Sequence, residues 1–162
     1  MSTDLIRARS GNPCLSPPFP SPQVSRAMLQ AYEDTRNPHP DVGPPTEYTA
    51  AVQAEARRAL EVIAPFAVPV TESTLREWLM PIPSAVRNEK TPEAIVAWLT
   101  GVAMAVGHLE VGAFTAETQR EALQTFRFFP SAADVYEVVA GPAVKIRERI
   151  RVLRIIASGG GA

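Results

Sequence analysis

From position 46 onward, apolar residues recur at helical spacing. Tyr48, Val52, Ala56, Ala59, Leu60 and Ile63 fall on one face, while Glu47, Gln53, Glu55, Arg57, Arg58 and Glu61 mostly occupy the other. Pro65 and Pro69 stop this helix, because proline lacks the backbone N–H that helix propagation uses. Thr71 caps a second, short helix that turns Leu75, Trp78 and Leu79 to one side before Pro81 and Pro83 end it. Thr91, Pro92 and Glu93 open a third helix, with a capping hydroxyl, proline at the first helical position and an acid near the positive end of the dipole; it is expected to run to about Leu109. Within it, Gly101 and Ala105 read as small residues that permit close helix packing.

Thr115 caps a fourth helix through about Phe126, and Ser131 with Asp134 three residues later forms a capping box for a fifth. Val135, Val138, Val139, Ile146, Ile150 and Leu153 carry an apolar stripe along that last helix to about Ala157, with a kink or break expected at Gly141 and Pro142. No segment alternates with period two between hairpin turns, and no internal repeat is present. The predicted fold is all-α, about five helices over residues 46–157, with Trp78, Trp98 and the 126–129 aromatics as core anchors.

Nine of the sixteen prolines lie in the first 45 residues, where hydrophobic periodicity is poor, so residues 1–45 read as a proline-rich, extended or disordered arm. Residues 23–35 interrupt it: Val24, Met28, Leu29 and Tyr32 share a helical face and predict a short helix that docks on the body or on a partner. Residues 158–162, Ser followed by three glycines and Ala, read as a flexible tail.

A formal net charge of −1 gives the whole molecule no field for holding nucleic acid. Cys14 is the only cysteine, which excludes an intrachain disulfide and a cysteine-based metal cluster within one chain. Arg7 and Arg9 run into Ser, Pro and Gly rather than an apolar stretch, so no signal peptide is expected, and no apolar run reaches the about 18 residues of a membrane span. The expectation is a soluble, cytoplasmic protein with no membrane partner.

Catalytic chemistry is sparse. His39 and His108 are the only histidines, too few for a catalytic metal site, and no glycine-rich loop is followed by the Lys and Ser or Thr that cradle phosphate. Glu117 and Glu121 lie one helical turn apart but beside Arg120 and Gln124, the signature of a solvated face; His108 fits the C-terminal end of a helix. The sequence predicts neither an enzyme nor a cofactor.

Two segments point to binding. Residues 145–154 carry Lys145, Arg147, Arg149, Arg151 and Arg154 against Glu148, a net +4. At 100° per residue Arg147, Arg151 and Arg154 form one stripe, and with Lys145 they are candidates for phosphate or an acidic partner surface. Phe126, Arg127, Phe128, Phe129 and Pro130 form an aromatic run that either wedges into the core or presents one ring to a partner groove.

This run and its continuation through Ser131, Ala132, Ala133, Asp134 and Val135 resemble a recurrent stretch in small helical proteins of phage and prophage replication regions. There, two aromatics and a proline precede Ser or Thr, a variable residue, Ala, an acid and a branched apolar residue. The Trp78 and Trp98 helices and the Phe114, Thr115 to Arg120 start are similar in order, so the resemblance spans about residues 70–140. It implies a helicase loader or replisome adaptor that recognises an initiator or a replicative helicase, with Phe128, Phe129 and Pro130 as the protein-partner residues. The chain departs from that pattern in its N-terminal arm and basic C-terminal helix, and it has no ATP-binding loop.

The alternative is a helix-turn-helix transcriptional regulator, with Gly112 in the turn and Gln119, Arg120 and Gln124 on the recognition helix. A homodimer through the last helix, widened by Val152, Ile155 and Ile156, stays open beside intramolecular burial of the same stripe.

Overall fold

A computed structural model describes residues 23–41, 43, 45–87 and 90–160. Among them are seven α-helices: α1 (Arg26–Arg36), α2 (Ala50–Ile63), α3 (Glu72–Leu79), α4 (Ile82–Ala85), α5 (Pro92–Val106), α6 (Ala116–Thr125) and α7 (Ala132–Ala157). No strand occurs among the described residues, so the fold is all-α.

The caps read from sequence form. Thr71, Thr91 and Thr115 accept the backbone N–H groups of Thr74, Ala94 and Thr118, and Ser131 with Asp134 closes a reciprocal capping box. The α2 helix is capped by Thr49 and starts at Ala50, four residues later than the apolar pattern at 46. The α5 helix ends at Val106, three residues short of Leu109, because the chain turns at Gly107 and drops Leu109 into the core. Residues 109–111 then pair with 68–70: Val70 N–H donates to the Leu109 carbonyl at 2.9 Å and Val111 N–H to the Val68 carbonyl at 2.8 Å. The single-turn α4 was hidden by its prolines; Pro81 and Pro83 lie at its start, where the missing N–H costs nothing.

The 26-residue α7 is the spine, and it runs unbroken through Gly141 and Pro142, where a kink or break was expected. Val135 and Val139 on one side of Pro142 and Ala143, Ile146, Ile150 and Leu153 on the other are all buried, so packing holds both halves in one helix despite the lost hydrogen bond. The helix packs on α2, α5, α1 and α6. This covers the apolar stripe within the chain and leaves it unavailable for pairing with a second copy.

The body also reaches N-terminal to position 46. The helix expected at 23–35 forms as α1, capped by Ser25, and packs on α2 and α7 with Met28 fully buried. Thr35 and Tyr48 hydroxyls hydrogen-bond to each other, and Arg36 Nε meets Glu148 Oε1 at 3.2 Å. Residues 1–22 of the expected arm lie outside the described residues. At the other end, residues 158–160 of the expected tail form a cap: left-handed Gly159 and Gly160 return their N–H groups to the Ile156 and Ile155 carbonyls.

Trp78 anchors the core, 0% exposed and edge-on to Phe114 at 5.7 Å between ring centroids. Its indole N–H donates to the Thr115 carbonyl at 3.2 Å. Trp98, Phe126 and Phe129 are half-buried at the perimeter, and Phe128 is exposed. The central aromatic pair is therefore Trp78 and Phe114, not Trp78 with the 126–129 run.

Candidate functional site

The loop between α6 and α7 is braced from three sides. Trp98 on α5 donates its indole N–H to the Pro130 carbonyl at 2.8 Å and packs on the Phe129 ring at 4.8 Å. Lys90 Nζ lies over the same ring, 5.8 Å from its centroid. From the segment after α4, Arg87 N–H donates to the Arg127 carbonyl at 3.2 Å. Asp134, held by the Ser131 N–H at 2.7 Å and hydroxyl at 2.8 Å, fixes the exit into α7.

The result separates the three candidate residues. Pro130 is buried and Phe129 half-buried as anchors, while Phe128, just before them, stands 61% exposed. Beside Phe128 is a groove of about 400 Å³, floored by Phe126 and Val138 and rimmed by Glu121, Asp134, Glu137 and Arg127. A single exposed aromatic on a loop fixed by its neighbours is suited to insertion into a partner, since little conformational freedom is lost on binding.

The basic residues of α7 divide differently. Arg147 Nε pairs with Glu110 Oε1 at 2.9 Å, and the Glu110 side chain is 10% exposed. Arg151 and Arg154 are exposed on the same side of the helix and form no ion pair among the described residues. Lys145 lies on the opposite flank, between α1 and the start of α6, where it lines grooves with Glu148 and with Glu117 and Glu121. The four basic candidates therefore do not converge on one patch.

The helix-turn-helix candidate takes another shape. Nine residues, 107–115, separate α5 from α6, more than the tight turn of that motif. Gly112 is buried in a short 3-10 turn rather than exposed at a hinge, and α6 shows solvent Glu117 and Glu121 beside Arg120 and Gln124. That surface repels phosphate as much as it attracts it. Among the described residues no three His, Cys, Asp or Glu side chains gather to hold a metal ion, and no helix is long and apolar enough to cross a membrane. His108 is exposed.

One surface escaped the sequence reading. Gly101, expected to seat a neighbouring helix, is exposed, with nothing within 4 Å of where a Cβ would lie. Met104 on the same face is 81% exposed. The signal was present: no charged residue occurs from position 94 to 106, and a helix apolar on all sides needs cover on all sides.

No protein-family model, curated protein or solved structure matches the chain.

Proposed function

We propose that the chain is a non-enzymatic helical adaptor of phage or prophage origin that binds a replication protein, a replicative helicase or an initiator, through the loop bearing Phe128. The observation that carries this reading is the exposure of Phe128 immediately before two anchored neighbours, Phe129 and Pro130. The class of partner rests on the resemblance of the 126–135 stretch to proteins of replication regions. The carboxylates of Glu121 and Glu137 at the groove rim favour a partner segment with basic residues beside its apolar anchor.

DNA contact is the secondary part of the proposal and falls to Arg151 and Arg154, because Arg147 is engaged by Glu110 and Lys145 lies elsewhere. Two exposed arginines support an auxiliary phosphate contact rather than a main binding surface.

Affinity capture of the tagged chain from its native lysate, with and without nuclease, tests the proposal when wild type is compared with Phe128→Ala. Recovery of a replicative helicase or initiator after nuclease treatment, lost in the variant, is the expected result. Equal recovery by the variant removes the loop from the interface, and loss of every partner on nuclease treatment transfers the function to DNA binding.

A further inference from the structure

The exposed face of α5 is long and carries charge only at its N-terminal end, at Glu93. Glu93, Ala97, Thr100, Gly101 and Met104 share it at helical spacing, and His108 continues its line just past the helix end; all six are exposed. Between the two ends there is no charge. Thr100 is the only polar side chain in between, and its hydroxyl donates to the Val96 carbonyl at 3.1 Å, so covering it strands no donor. Gly101, beside the middle of the line, and Ala97, one turn before it, are the smallest residues on the face, which lets a second helix approach closely. Alongside runs a mostly apolar groove of about 510 Å³ between α3 and α5, lined by Leu75, Leu79, Val96, Leu99 and Ala103, with the Glu72–Arg76 ion pair on its α3 side.

From this arrangement we infer that two copies of the chain associate through α5, antiparallel, about a twofold axis passing between Thr100 and Gly101. A twofold interface must present the same patch to itself. In this register Met104 of each copy covers Ala97 of the other, the protruding side chain over the small one, and the adjoining groove leaves room for the flexible thioether. The same register brings Glu93 of one copy opposite His108 of the other, so the only charged end of the face meets an imidazole N–H. A parallel pair would instead stack Glu93 on Glu93 and Met104 on Met104. The reciprocal match of bulk with space and of carboxylate with donor is what points to a second copy rather than an unrelated helix.

The full chain is tested by light scattering behind size exclusion over a concentration series, then by cross-linking with Cys14→Ser as background. Wild type is expected to show twice the monomer mass and Met104→Glu the monomer mass, with an unchanged helical circular-dichroism spectrum because Met104 does not touch the core of its own chain. An equimolar mixture of Ala97→Cys and Met104→Cys chains is expected to form disulfide-linked dimers on mild oxidation, while neither variant alone does. A wild-type chain that stays monomeric throughout, or a Met104→Glu chain that remains dimeric, overturns the proposal. Failure of the mixture to cross-link, or equal cross-linking by the single variants, overturns the antiparallel register.

Discussion

Arg147 Nε lies 2.9 Å from Glu110 Oε1, joining the middle of α7 to the strap that follows α5. The second carboxylate oxygen of Glu110 is buried without a hydrogen-bond partner among the described residues, so the guanidinium is the main compensation for a largely buried charge. Arg147→Ala is expected to lower stability by about 1–3 kcal/mol, the cost of leaving a buried acceptor unsatisfied, moderated because Arg147 is half exposed. Arg151→Ala and Arg154→Ala are expected to change it by no more than about 0.5 kcal/mol. Urea denaturation of the three variants checks this. Charge reversal of Arg151 and Arg154, with Arg147 kept, is then the variant that reports on DNA contact without disturbing the fold.

Much of this was legible in the sequence, for a physical reason. A helix start depends on a cap and an apolar period within a few residues, so Thr71, Thr91, Thr115 and Ser131 announced α3, α5, α6 and α7 locally. Pro142 misled because its local cost is overridden by burial on both sides, a tertiary effect no window around it contains. Phe114 was passed over because a lone aromatic before a cap has no periodic partners; its role comes from Trp78, 36 positions away. The +4 run was visible as charge, but its partition between Glu110 and solvent depends on a carboxylate 37 positions from Arg147.

Gly112 marks where three segments meet. A Cβ there would fall 2.9 Å from the Phe66 Cβ, 3.0 Å from the Phe66 carbonyl oxygen and 2.9 Å from Ile146 Cδ1. The Ile146 methyl can rotate away, but the Phe66 backbone cannot. Gly112→Ala is therefore expected to destabilise by about 1–3 kcal/mol through overpacking, read as a lower urea midpoint with an unchanged slope. An unaltered midpoint would show that this junction repacks freely.

The docking of α1 is expected to weaken in acid. Ser25 N–H donates to Glu55 Oε2 at 3.0 Å, and this backbone hydrogen bond, aided by the Ser25 hydroxyl, holds the Glu55 carboxyl below its ordinary value against the opposing effect of desolvation. A carboxylate depressed in the folded state contributes stability above its unfolded pKa, and that contribution is lost as pH falls through the folded value. Amide hydrogen exchange, corrected for its intrinsic pH dependence, is expected to show α1 losing protection on acidification ahead of α2 and α7. Glu55→Ala is expected to reproduce the loss at neutral pH and to abolish its pH dependence. An α1 that keeps its protection in that variant would assign the docking to Met28, the Thr35–Tyr48 contact and the Arg36–Glu148 ion pair.

Phe128 and Trp98 separate presentation from contact at the loop. Phe128 is 61% exposed, so Phe128→Ala removes little buried area and is expected to leave the melting temperature within about 2 °C of wild type. If the ring is the anchor of the interface, the same change costs at least about 2 kcal/mol of binding, roughly 30-fold in Kd. Trp98→Phe keeps an aromatic against Phe129 but removes the indole N–H that donates to the Pro130 carbonyl. Its expected stability loss is about 0.5–1.5 kcal/mol, and it weakens binding less than Phe128→Ala because the anchoring ring remains and only its pre-set position is relaxed. Titration calorimetry with the captured partner, beside thermal melts of both variants, reads the two effects separately. A Trp98→Phe chain that loses binding as fully as Phe128→Ala would make loop geometry, rather than the Phe128 ring, the element the partner recognises.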